Sequence, residues 1–297
     1  MVIGYFYKGQ RTNDKGQMTN LFKVFLIAVI LIGINLASPF PNAANCAPQD
    51  TDLGVCAAPP NLLAAQRQAS YLINQIRADL ATVEERIRNV PFLAEVEAGN
   101  ASLEQIASVA AEQYSIIRSD WSSFAQMTAR FDDPQSRQFF GGIASGEAIA
   151  LQLLLDFAES VGLDEQDLTA YEPRPKGQTY PSRVAWIAAN ANRTAAGASF
   201  LANFPVFGEN MGRLRDALIN IYGFSPEEVA FFSFFAEPIP GFEENAIEVI
   251  AAGLRRGACP IEVQRSARLL QSYELDFWQA VGESPGSPLL VVRELQQ

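Results

Sequence analysis

Leu72-Ile73-Asn74-Gln75-Ile76-Arg77-Ala78-Asp79-Leu80-Ala81-Thr82-Val83-Glu84-Glu85-Arg86-Ile87 is the stretch that decides the fold class. Leu72, Ile76, Leu80, Val83 and Ile87 recur every three or four residues, with polar side chains between them. That period lays one apolar stripe along an α-helix, whereas a half-buried strand would alternate every second residue. A stripe of this kind must be buried against another element, and no alternating segment in the chain offers a sheet to bury it on.

Working outward, the same pattern returns several times. Pro91 ends the first helix. Ser102-Leu-Glu-Gln105 reads as a capping box opening a helix to about Arg130. Asp133-Pro134 reads as N-cap and N1 proline of a helix carrying Ile149, Leu153, Leu154 and Phe157 and stopping at Gly162. Tyr171 to Pro181 reads as loop. Helices are expected from about Ser182 to Asn203 and from Phe207 to Gly223. Ser225-Pro226-Glu227-Glu228 is a further cap with an acidic first turn, followed by Phe231 to Phe235. Helices near 242–254 and 260–281 close the set. The expectation is an all-α bundle of seven or eight helices, with any small-ligand site between helices.

The N-terminal region reads differently. Lys8, Arg11, Lys15 and Lys23 precede an apolar run from Val24 to Ile34, near ten residues and too short to span a bilayer. A basic flank with a short apolar core is the pattern of a signal peptide, or alternatively of a single uncleaved membrane anchor, with Met18 as a second candidate start. Expected boundaries are a leader over 1–44, a Pro-, Asn- and Asp-rich linker over 45–60, a helical domain over 61–282 and a flexible tail over 283–297. The expected location is an exported compartment, periplasmic or lumenal, or a membrane surface.

Charge and composition exclude several functions. A net charge of −11 gives no basic face for nucleic acid. The chain has no histidine. No haem is held by a proximal His, no His/carboxylate di-iron site forms, and no Ser-His or Cys-His pair exists. Chemistry would have to run on carboxylates, Tyr, Lys or Cys, with no metal and no cofactor expected. Of the three cysteines, Cys46 and Cys56 bracket a short polar segment and either close a small disulfide loop or remain free. Cys259 precedes Pro260 at a helix start, as a buried or capping thiol or as one activated by the helix dipole.

Several ordered stretches resemble the TenA (thiaminase II) and PqqC-like family of the haem-oxygenase-like superfamily. Asn89-Val-Pro-Phe-Leu93 with Gly99 and Ser102-Leu-Glu-Gln105 is similar to its opening segment. Glu112-Gln113-Tyr114, Pro173-x-Pro175 leading to Tyr180, and Tyr222-Gly223-Phe224 with Phe231-Phe232 follow in order. Leu270-Gln-Ser-Tyr-Glu274-Leu-Asp-Phe277-Trp278 matches its terminal helix. The resemblance spans about 66–282 and implies a haem-oxygenase-like bundle enclosing a small heteroaromatic, thiamin-pyrimidine-like or quinone-like. It implies Glu274 as acid/base and Gln113, Tyr114, Tyr180, Phe204 and Phe277 as pocket residues. It also implies a homo-oligomer and a place in thiamin metabolism.

The departures bear on mechanism. The family's helix-borne Asp falls on Gln113, and its Cys nucleophile falls near Asn203 or Phe204. The iron-ligating patterns of relatives read here as Glu147-x3-Leu151 and Phe235-x3-Ile239-x2-Phe242, which cannot hold iron. The expected function is therefore metal-free ligand binding without turnover. Two alternatives stay open: a Glu-dependent aminopyrimidine hydrolase of thiaminase II type, and a membrane-tethered interaction scaffold. Glu147 reads as a buried or interfacial acid paired with Arg or else as a site residue, and Asp120-Trp121 reads equally well as a site acid or as a surface acid beside a core indole.

Overall fold

Ten helices occur among the described residues, and no strand. They are α1 Leu62–Arg88, α2 Pro91–Glu97, α3 Leu103–Arg130, α4 Pro134–Ser160 and α5 Glu165–Ala170, then α6 Thr179–Asn190, α7 Arg193–Asn220, α8 Ala230–Ala236, α9 Phe242–Leu254 and α10 Pro260–Val281. This computed structural model describes residues 56–283. The expected leader, Met1 and Met18, Cys46 and almost all of the tail lie outside the described residues.

The all-α expectation is met with more helices than the seven or eight foreseen. The surplus comes from α2, α5 and α8, each too short to show a period. Pro91 does not merely end α1: Arg88 is its last residue, and Pro91 sits in the first turn of α2. At Ser225 the cap forms reciprocally, with Glu228 Oε2 accepting from Ser225 N at 2.7 Å, but the helix itself begins at Ala230.

Local signals set most of the long helices. Asn61 Oδ1 accepts from Ala64 N at 2.9 Å to open α1. Ser102 and Gln105 form the full capping box of α3. Asp133 caps α4 through Ser136 N at 2.9 Å. Each cap satisfies amide donors that the first turn leaves without partners.

The central helix was divided differently in the sequence. The expected pair about Ser182–Asn203 and Phe207–Gly223 is in fact α6, ending at Asn190, and one continuous α7 with Pro205 inside it. Two physical reasons account for the shift. Asn192 Oδ1 accepts from Ala195 N at 3.0 Å and so opens α7. An internal proline costs about 3 kcal/mol, but the turns on both sides of Pro205 are held. Every residue from Thr194 to Asn203 is buried, and Asn210 Nδ2 donates to Ile87 O at 3.1 Å. Gly208 lets α8 lie directly against α7, since a Cβ there would meet Phe235 O at 2.6 Å. A helix buried on all sides shows little amphipathic period, which hides it from a periodicity argument.

Around α7 pack α2, α8, α9 and α10. α10 also rests on α1 and α6, while α3 lies along α4. The core is built of phenylalanine and aliphatic side chains contributed by every long helix.

A disulfide joins Cys56 to Cys259, with 5.0 Å between Cα atoms. This overturns both readings of Cys56, in a loop with Cys46 or free, and removes Cys259 from consideration as a thiol. Cys56 N also donates to Gly257 O at 3.0 Å, so the residues before α1 fold back on the turn preceding α10. The pairing spans 203 residues and is invisible to spacing. A bond closing so long a loop contributes about 2–4 kcal/mol in ordinary cases.

A candidate site at a buried acid cluster

α3, α4, α6, α7 and α10 converge on a group of buried polar side chains. α3 supplies Asp120, α4 Glu147, α6 Tyr180, α7 Asn203, and α10 Gln271 and Glu274. Gln271, Glu274 and Trp278 follow one another at helical spacing, so α10 presents them on one face. The Glu274 carboxylate accepts from Trp278 Nε1 at 2.6 Å and from Asn203 Nδ2 at 3.4 Å. Asn203 Nδ2 also donates to Gln271 Oε1 at 3.2 Å, and Tyr180 Oη donates to Asn203 Oδ1 at 3.1 Å.

Asp120, Glu147 and Glu274 are 5%, 8% and 2% exposed, and none forms an ion pair among the described residues. Arg183, one turn beyond Tyr180 on α6, lies over the Trp186 ring and donates to Ser266 Oγ. Burial disfavours a charged carboxylate. It pushes Glu274 up to about 7, opposed in part by the donors Asn203 and Trp278. It pushes Glu147 up to about 8. Asp120 is raised well above the carboxylate range by burial, then by the charges of Glu147 and Glu274. The Tyr180 hydroxyl is raised by burial first and by the same three acids. Asp120 Oδ1 and Gln271 Nε2 are buried with no hydrogen-bond partner.

Phenylalanines pack beside this cluster. Phe204 and Phe242 stack at 5.3 Å, and Phe204 also meets Phe124 and Phe200. Phe207 stands 5.2 Å from Phe235 and 5.9 Å from Trp278, the residue bonded to Glu274. Phe204, Phe207, Phe235 and Phe242 are only half-buried. Two open hollows, about 290 and 480 Å³, run along the C-terminal part of α1, and neither is lined by the acids.

Of the residues singled out in the sequence, Glu274 and Tyr180 meet through Asn203. Phe204 belongs to the aromatic layer beside them. Phe277 is buried edge-on to Trp278 at 5.3 Å. Gln113 is buried on α3 about two turns before Asp120. Tyr114 faces elsewhere: its hydroxyl donates to Glu165 Oε1 at 3.0 Å on α5. Glu147 has no arginine partner among the described residues, contrary to the first of its readings. The surface reading of Asp120-Trp121 is reversed, with the acid buried and the indole 43% exposed. The spacing Gln113, Ile117, Asp120, Phe124 was the available signal, since it places Asp120 on the buried stripe. Asn203 and Gln271 entered no expectation as polar partners of Glu274.

Among the described residues, no group of three or more His, Cys, Asp or Glu side chains is placed to hold a metal ion. The cluster can hold protons near neutral pH, accept donors from a bound molecule, and offer one amide donor in return.

The sequence pattern of the TENA/THI-4/PQQC family matches residues 77–283, most of the chain, and the protein belongs to that family. No curated protein matches it. Solved structures share the fold at low identity. A TenA homologue from P. horikoshii OT3 is 14% identical, with a TM-score of 0.56, over 71% of this chain and 97% of that one. A TenA homologue from Pseudomonas syringae pv. tomato is 10% identical, with a TM-score of 0.59, over 76% and 98%. One from Pyrococcus furiosus is 16% identical, with a TM-score of 0.57, over 71% and 99%. The all-α bundle expected from the sequence is thus the fold of this protein, shared with these TenA homologues.

Proposed function

We propose that this TenA-family protein binds a small nitrogen-containing heteroaromatic, aminopyrimidine-like, at the Asp120–Glu147–Glu274 cluster. The observation that carries the reading is that no cation pairs with the three buried acids among the described residues, together with an unpartnered Asp120 Oδ1. Buried carboxylates without counter-charge are costly unless something supplies donors. An exocyclic amine or protonated ring nitrogen does so. A quinone, which brings only acceptors, does not. The half-buried phenylalanines beside the cluster offer flat surfaces on which a ring can stack. Isothermal titration of the full chain with 4-amino-2-methylpyrimidine tests the reading. Saturable binding that weakens at least tenfold in Asp120→Asn is expected, and no binding by the wild type would defeat it.

One observation favours a second reading, hydrolysis. Burial brings Glu274 up to about 7, where a carboxyl gives and takes protons at working pH. Release of an aminopyrimidine from a substituted parent compound, lost in Glu274→Gln with binding retained, would establish it. Equal turnover in the variant would remove Glu274 from the chemistry.

The Cys56–Cys259 disulfide supports an oxidising, exported location, in keeping with the basic and apolar N-terminal pattern. Alkylation and mass spectrometry of the protein taken from its own cells should find both thiols blocked. Free thiols would argue for a reducing compartment.

A further inference from the structure

Gln271 has a donor with nowhere to give its proton. The arrangement around it follows from Glu274. The Glu274 carboxylate is an acceptor, so Asn203 turns Nδ2 toward it. The same Nδ2 faces Gln271, which therefore presents Oε1 at 3.2 Å. Asn203 Oδ1 is taken by the Tyr180 hydroxyl. Gln271 Nε2 is then the one amide group left over, fully buried and unpartnered. An orphaned buried donor costs about 1–3 kcal/mol, and native interiors seldom retain one without a use. It lies one helical turn from Glu274, on the same face of α10.

From this geometry we infer that Gln271 is a specificity-determining residue that requires a hydrogen-bond acceptor on the ligand, opposite the donor edge that meets the carboxylates. The inference rests on the binding reading above and narrows it. The occupant is a planar heterocycle with an amine or N–H on one edge and an unprotonated ring nitrogen or carbonyl on the other. Planar cations that carry donors alone satisfy the acids but leave Nε2 unmet. A site built to donate rejects an analogue without the acceptor, because its own group stays unpaired.

The test compares two probes by isothermal titration on the full chain: 4-amino-2-methylpyrimidine, with donor and acceptor edges, and benzamidine, with donors only. Gln271→Glu keeps the oxygen toward Asn203 and replaces only the free nitrogen. Gln271→Met removes both, and carries the same comparison if the Glu variant does not fold. Thermal melting verifies each variant. The wild type should prefer the aminopyrimidine, and either variant should lose that preference by tenfold or more with benzamidine binding no weaker. An unchanged preference, or a wild type that favours benzamidine, overturns the inference and leaves the carboxylate site standing. A wild type that binds neither probe removes both.

Discussion

Two buried acids about two turns (~12 Å) apart on α3 are treated in opposite ways. Glu112 is fully buried and fully served. Its Oε1 accepts from Tyr171 Oη at 2.7 Å, from Arg174 N at 2.9 Å and from the Arg174 guanidinium at 3.1 Å. Its Oε2 accepts from Gln178 Nε2 at 3.2 Å. Those four bonds pin the loop that the sequence shows as Pro173-x-Pro175 and so hold the start of α6, which carries Tyr180. Asp120, Glu147 and Glu274 have no cation partner among the described residues, and Asp120 Oδ1 has no hydrogen-bond partner. The lesson is that burial alone does not identify a functional acid. A carboxylate with its full complement of donors is an anchor, whereas one without them is kept at a cost and awaits a partner.

Glu112 carries the largest expected effect. Glu112→Ala leaves Arg174 and Tyr171 without their acceptor and should cost about 3–5 kcal/mol in denaturant unfolding. A loss below about 1 kcal/mol would mean that the loop does not depend on it.

The open cluster should show itself through pH. Glu274 and Glu147, with folded values of about 7 and about 8 against 4.5 unfolded, are protonated when folded and ionised when unfolded between those limits. Unfolding then releases protons, so stability falls as pH rises from about 4.5 to 8. The drop is on the order of 3 kcal/mol for one such group. Tyr180 and Asp120 face the same acids, and Arg183 points to Ser266 and Trp186, so no nearby cation reverses the sign. Urea titrations at pH 5 and pH 8, with the disulfide intact, measure this, and Glu274→Gln should remove its share of the drop and leave that of Glu147. Stability that instead rises with pH would show acids that are paired after all.

A smaller effect of opposite sign is expected at Asp120. Asp120→Asn removes a buried acid whose ionised form the fold disfavours, and should stabilise the protein by about 1–2 kcal/mol at pH 8 while weakening ligand binding. Destabilisation would place Asp120 with Glu112 among the anchors. The smallest effect is at Gly177, whose added Cβ would lie 2.7 Å from Glu112 Oε2. Gly177→Ala should cost about 1 kcal/mol in thermal melting by crowding the anchor, with ligand affinity unchanged.

How much of this was legible follows from the reach of each signal. Ser102 with Gln105, Asp133 with Pro134, and Pro260 announced their helices because a cap and its target amide lie within one turn. α7 was cut in two because Pro205 is a local breaker, while the contacts that override it come from α1 and α8. Glu274 stood out as an acid on an apolar helix. Asp120 did not, because Trp121 beside it looked like the buried partner, and only the stripe through Gln113, Ile117 and Phe124 resolves the two. Gln271 looked like ordinary helix polarity until Asn203 occupied its oxygen.

The sequence by itself determined the helical class, the positions of the long helices other than the α6–α7 boundary, the family resemblance and, through the missing histidines, the exclusion of whole classes of chemistry. Each of these depends on residue type and short-range spacing alone. Only the tertiary structure decided which cysteines pair, which acids find arginines and which donors stay empty. Those outcomes depend on side chains brought together from helices far apart in the chain, and a buried group's energy is set by the neighbours it lacks as much as by those it has.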